Sequence, residues 1–248
     1  MIVPLESYAL GVFLVLCRIG ACLMIMPGFG SARVPGRVRI LLALALSMVV
    51  TPLVAVPGAL DRNDGAHLLR LIFSECFAGG TIGLLARMYI AALEFMGSAI
   101  ASYMGLAGMG SAIELDEPAP AVSAMITIVA TLLMLVMDLH LLLISTVIQS
   151  YAELPLGEMP STRNGLRMLA DALTAGFLMA LQISGPFVVY GVVVNVMFGL
   201  VGKLVPQVPS YFISVPFLAF GGLLLLYFAV GEMLLVFAQT IKFALSQL

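Results

Sequence analysis

Residues 211–246 read YFISVPFLAFGGLLLLYFAVGEMLLVFAQTIKFALS, a run in which only Glu232 and Lys242 are charged. Its apolar positions follow one another without the every-second-residue alternation of a half-buried strand, so the pattern predicts a helix. A hydrocarbon core about 30 Å thick needs about 20 helical residues per crossing, and this run is longer than that. Just upstream, Leu169 to Val205 repeats the pattern, and Pro206-Gln207-Val208-Pro209-Ser210 separates the two. The C-terminal part is therefore expected to be a hairpin of two long helices. In lipid only helices or a closed barrel satisfy the backbone, and continuous runs favour helices.

The whole chain follows suit. Of its 248 residues 62% are hydrophobic and 10% charged, where a soluble domain carries about 25% charged residues. This composition excludes a soluble cytosolic enzyme and predicts an all-α integral membrane protein with roughly six to eight spans and no separate soluble domain. The 11 Lys and Arg against 13 Asp and Glu leave no basic surplus for phosphates, which excludes nucleic acid as a partner. The N-terminus carries Glu6 and no positive lead segment, so the first run is expected to stay attached. Cys17, Cys22 and Cys76 read as small hydrophobes and not as disulfide partners or metal ligands.

Towards the N-terminus the runs are Tyr8–Met26, ending at Pro27-Gly28-Phe29-Gly30, and Leu41–Val56 behind Pro35 and the basic Arg33, Arg37 and Arg39. His67–Met104 is apolar for longer than one crossing needs, yet holds Glu75, Arg87 and Glu94. Gly97, Gly105, Gly108 and Gly110, with Ser98 and Ser102, mark where regular helix is expected to fail. An apolar run over Val122–Tyr151 comes next, then a polar link over Pro160–Arg167. A six-crossing layout places Arg33, Arg37, Arg39 and Lys203 on one side and Arg62, Arg70, Arg163, Arg167 and Lys242 on the other. Positive charge thus gives the chain no orientation.

Chemistry-bearing motifs are few. No Gly-x-Ser-x-Gly, His-Glu-x-x-His, Walker or paired-Cys pattern occurs, so neither an enzyme nor a cofactor is expected. An ionisable group in lipid is costly unless paired or hydrated, which singles out Arg18, Glu75, Arg87, Glu94 and Asp138. Two readings stand: buried pairs that fix helix register, or a proton pathway. Asp138 and His140 are about 200° apart on a helix, so they share no face. Met104 and Met109 bracket the glycines; they either fill gaps in the bundle or seal a constriction through which a chain passes.

In order along the chain stand Arg18-Ile19-Gly20-Ala21, Pro27, Phe29-Gly30, Val34-Pro35-x-Arg37-Val38-Arg39, Glu75, Arg87, Gly105-Leu106, Asp116 to Pro118, His140, Leu154-Pro155-Leu156-Gly157, Pro186, Gly199-Leu200, Pro206-Gln207 and Pro216. This order and spacing resemble the FliR family of flagellar type III export-gate proteins over essentially the whole chain. Tyr103-Met104, Leu139 and Pro209 depart from the family's usual residues. The resemblance implies a single membrane-embedded FliR-type domain over 1–248, with a FliP-like helical portion over about 1–165 and a FliQ-like helical hairpin over about 166–248. It implies a bacterial inner-membrane location in the flagellar basal body, with FliP, FliQ and FlhB as partners, FlhA nearby, and unfolded flagellar proteins as cargo. It maps a gate plug onto Met104, Gly105, Leu106, Gly108, Met109, Gly110 and Ile113. Arg18, Glu75, Arg87 and Glu94, and the loop residues Arg33, Arg37, Arg39, Pro206 and Gln207, are implied in assembly. A virulence export gate of the same family is the alternative. A secondary transporter fits less well, because one glycine break has no second, matching one.

Overall fold

The computed structural model describes residues 5–30, 34–54, 65–107, 120–159, 162–205, 207 and 210–246. They form seven α-helices: α1 Leu5–Ile25, α2 Gly36–Val50, α3 Gly65–Tyr103, α4 Ala121–Val136, α5 Leu139–Glu153, α6 Thr162–Leu204 and α7 Ser210–Ser246. A single 3-10 turn, Thr51–Leu53, extends α2, and no strand occurs among the described residues. Five helices are long and apolar enough to cross a membrane, or six spans if the bent pair α4–α5 counts as one. The protein is an all-α integral membrane protein.

Helix starts follow proline chemistry. Pro35 and Pro120 precede α2 and α4 with extended backbone (ψ 135° and 143°), where the missing proline N–H costs the helix nothing. The apolar run expected over Val122–Tyr151 is two helices, bent by 64°. The break falls at Asp138, whose φ of 57° is left-handed; Asp is among the few non-glycine residues that tolerate this. The link expected over Pro160–Arg167 is helical from Thr162 onward.

The helix failure expected over Gly97–Gly110 falls late in that stretch, since α3 runs unbroken to Tyr103. Gly97 is a packing contact: a Cβ there would lie 2.9 Å from Ser123 Oγ of α4. Ser98 and Ser102 donate back to the carbonyls of Glu94 and Ser98 within the helix. The helix stops instead at Gly105, where the Leu106 N–H reaches the Ala101 carbonyl and the Gly105 N–H the Ser102 carbonyl. With φ of 71° at Gly105, this is a Schellman stop, which needs a residue free to adopt the left-handed conformation.

The chain forms two compact units, interleaved along the sequence: residues 1–88, 138–173 and 243–248, and residues 89–137 and 174–242. In the first, Leu14, Val15, Ile19, Cys22 and Leu23 of α1 form the core with Ala43, Ser47 and Val50 of α2. Gly79 and Gly83 let α3 lie directly on α1, for a Cβ on Gly79 would overlap the Arg18 carbonyl and one on Gly83 would sit 2.8 Å from the Cys22 carbonyl oxygen. Small residues four apart permit such backbone approach in membrane helices. In the second unit, Ile90, Leu93, Met96 and Ile100 of α3 are buried, as are Ala124 and Ala130 of α4, Phe187 of α6 and Phe237 of α7.

Candidate functional site

Two constructions stand out, one in each unit. In the first unit, helix α1 carries Arg18 and helix α3 carries Glu75, both wholly buried. Arg18 Nε donates to Glu75 Oε2 at 2.7 Å and Nη2 to Oε1 at 3.1 Å. Nη1 donates to Ser150 Oγ and to the Leu154 carbonyl, both at 3.1 Å, and Nη2 reaches that carbonyl at 3.2 Å. A guanidinium has five N–H groups, and five bonds are made. The guanidinium carbon also lies 3.9 Å from the centre of the Tyr151 ring, a cation–π distance.

Glu75 Oε1 accepts a further bond, 2.9 Å, from the Gly157 N–H. Gly157 has φ of 89°, so the turn Leu154-Pro155-Leu156-Gly157 closes onto the pair from the far side. The Pro-Leu-Gly signature thus supplies a carbonyl and an N–H rather than side-chain chemistry. One buried pair ties α1, α3 and the turn after α5 together. Burying two charges is tolerated only when geometry is good and the remaining polar atoms are satisfied, and here they are.

The second construction surrounds the end of α3. Met104 is fully buried, and a Cβ on Gly222 of α7 would overlap its Cγ. A Cβ on Gly191 of α6 would lie 2.8 Å from the Tyr103 ring and 3.1 Å from the Tyr103 carbonyl oxygen. Tyr190, next in sequence to Gly191, crosses to α7 and donates its hydroxyl hydrogen to the Phe217 carbonyl at 2.5 Å; a Cβ on Gly221 would overlap that hydroxyl. Phe217 also meets Phe198 of α6, ring centres 5.5 Å apart. Glycines thus open a notch between α6 and α7, and Tyr103, Met104 and Gly105 occupy it.

Of the other expected site residues, Arg87 is exposed in the first unit and Glu94 half-buried in the second, so the two belong to different packing environments. The Glu94 carbonyl engages α4 by accepting from Ser123 Oγ at 3.0 Å. Leu106 is half-buried, Arg37 and Gln207 are exposed, and Arg39 donates to the Val34 carbonyl at 2.8 Å. Gly108, Met109, Gly110, Ile113, Arg33 and Pro206 lie outside the described residues, as do Glu114, Asp116 and Glu117. Asp138 is exposed at the α4–α5 bend. His140 Nδ1 and Tyr151 Oη are buried with no hydrogen-bond partner among the described residues. No cluster of three His, Cys, Asp or Glu that could hold a metal occurs among the described residues.

Sequence reasoning missed Ser150, the Leu154 carbonyl, the Gly157 N–H, Tyr151, Tyr190, Gly221 and Gly222. The adjacent glycines at 221 and 222 inside a long apolar helix were a readable signal, since glycine there lowers helix stability and implies close approach. Backbone donors and acceptors carry no residue-type signal at all.

The profile of the bacterial export proteins, family 1, matches residues 9–244. Among curated relatives, the chain is 26% identical to the flagellar biosynthetic protein FliR of Caulobacter vibrioides, over 91% of this chain and 90% of that one. It is 29% identical to the protein of the same name from Bacillus subtilis (82% and 79% covered). Against that of Escherichia coli the figures are 27% identity, with 81% and 77% covered.

Proposed function

The chain belongs to the bacterial export proteins, family 1, and on that premise we propose that it is a subunit of the flagellar type III protein-export gate. In this reading it assembles with FliP and FliQ, contacts FlhB with FlhA nearby, and lines the route by which unfolded flagellar proteins leave across the bacterial inner membrane at the basal body. The observation that carries it is the agreement along nearly the full length with relatives named flagellar biosynthetic protein FliR. The flagellar reading is preferred to a virulence one on the same ground. Its role is transport, not catalysis.

Physical features support an assembly subunit. Helix α6 presents Leu173, Phe177, Leu178, Val189, Val193 and Val196 to its surroundings, and α7 presents Phe217, Phe220, Tyr227 and Phe228. Such helices need lipid or other helices against them. The FliQ-like assignment falls on this α6–α7 hairpin, and the FliP-like one on the helices before it. The glycine-rich segment that follows Gly105 serves as the plug: acidic residues at 114, 116 and 117 suit a hydrated mouth and not a lipid-facing segment.

Affinity purification of the tagged chain from native membranes in mild detergent tests the reading. FliP and FliQ are expected to accompany it, and a strain lacking the chain is expected to stop exporting flagellar subunits. A chain that purifies alone or only with copies of itself, from cells that still export, would refute the assignment.

A further inference from the structure

We propose that the notch built by Tyr190, Gly191, Gly221 and Gly222 is a positioning site, in which the α6–α7 hairpin grips the end of α3 and fixes the point from which the plug segment departs. The inference rests on the plug reading above; the notch itself lies wholly within described residues of one unit. Its first support is a contrast among glycines. Among the described residues, Gly185 and Gly199 of α6 and Gly231 of α7 have nothing within 4 Å of where a Cβ would stand, while Gly191, Gly221 and Gly222 are filled by Tyr103, Tyr190 and Met104. Close approach in the hairpin is therefore concentrated where α3 ends.

The second support is polar. Half-buried Tyr190 of α6 donates its hydroxyl hydrogen to the Phe217 carbonyl of α7, stapling the two helices at the level of the notch. The third is the Schellman stop at Gly105, one residue past Met104. Gripping Met104 thus sets where the chain turns away from the helix. A hairpin that shifts on α3 would carry that turning point with it, so the hairpin's packing and the tightness of the gate are coupled through the Met104–Gly222 contact.

The test compares assembled complexes carrying Gly222→Ala or Gly191→Ala with matched controls Gly185→Ala and Gly199→Ala, which gain the same helix propensity but meet no neighbour among the described residues of this chain. Complex yield with FliP and FliQ and potassium efflux from membrane vesicles are read together. Gly222→Ala and Gly191→Ala are expected to raise efflux about ten-fold, at a yield within two-fold of the parent, with both controls silent. Adding Met104→Ala to Gly222→Ala removes the overlapping Cγ and is expected to bring efflux back down. If Gly222→Ala prevents assembly, Tyr190→Phe serves instead, because it deletes only the hydroxyl; a few-fold rise is expected. Deletion of residues 105–110 separates the two ideas. A leaking deletion beside silent notch variants overturns the positioning site alone, whereas a tight, assembled deletion overturns the plug reading and the inference with it.

Discussion

Glu75→Ala is the substitution that weighs the buried pair. Arg18 and Glu75 are both wholly buried and joined by two bonds, 2.7 and 3.1 Å. Removing the carboxylate leaves a guanidinium in an apolar interior, and breaking such a pair from one side costs about 3–5 kcal/mol. The Gly157 N–H loses its acceptor too, which adds about 1 kcal/mol or more. The remaining partners, Ser150, the Leu154 carbonyl and the Tyr151 ring, offer no counter-charge. Glu75→Gln keeps one acceptor oxygen, for the Gly157 N–H and Arg18 Nη2, but loses the charge and turns an NH2 donor towards the Arg18 Nε–H, so its cost is expected to be about 2–3 kcal/mol. Cys22, only 3% exposed and one helical turn from Arg18, reports the opening. In a variant that keeps Cys22 as its sole cysteine, maleimide reaches the thiol only when α1 separates from its neighbours. Each 1.4 kcal/mol is about ten-fold in that opening, so Glu75→Ala should speed labelling at least about 100-fold, with Glu75→Gln between it and the parent. Replacing Arg18 and Glu75 together by Met leaves no buried charge and should open less readily than either single change. A rate for Glu75→Ala within ten-fold of the parent refutes the reasoning, because it would mean that Arg18 finds equal solvation without its partner.

Three further outcomes follow from the packing. Gly79→Ala should uncouple α3 from α1, because its methyl overlaps the Arg18 carbonyl, whereas among the described residues Gly80→Ala meets only Ile25 Cδ1 at 3.7 Å and should be neutral or stabilising; thermal loss of helicity in detergent ranks the two, and equal midpoints would count against the close contact. At the left-handed Asp138, Asp138→Gly should raise the midpoint slightly and Asp138→Val lower it by about 1–2 kcal/mol equivalent; the reverse order would mean that the αL bend does not form. The 39 residues of α3 span about 58 Å at 1.5 Å per residue, nearly twice a hydrocarbon core of about 30 Å. Single cysteines at the exposed positions Phe73, Leu84 and Phe95, scanned with an impermeant maleimide in the assembled complex, should therefore include sites labelled from water. Protection of all three would mean a strongly tilted helix lying in lipid throughout.

Helix content was legible because lipid penalises every unsatisfied backbone group, so long unalternating apolar runs have one outcome. Helix ends were legible where a residue lacks a donor or tolerates an unusual backbone: Pro35, Pro120 and Gly105 each mark a boundary in the structure. Reading failed where one residue type serves two purposes. Gly97 looked like a breaker and is a contact surface for Ser123; glycine lowers helix propensity by only about 1 kcal/mol, which packing between two helices readily offsets. Asp138 looked like a polar residue within one apolar run and is the left-handed turn that divides it. Thr162 to Arg167 looked like a link because it is polar, yet a polar helix end needs only water around it.

The same division holds at the sites. Arg18 and Glu75 stood out singly, because an ion in lipid demands an explanation. Their pairing did not, since they are 57 residues apart and the sequence does not say which helices pack together. Once paired, their number of bonds bears on the two readings held open from sequence. A relay must bind and release protons, but an arginine does not deprotonate in proteins. Each N–H of Arg18 has an acceptor, and Glu75 takes three bonds across its two oxygens. Geometrically the pair joins α1 to α3 and bonds to both ends of the Leu154–Gly157 turn, from which the chain proceeds to α6.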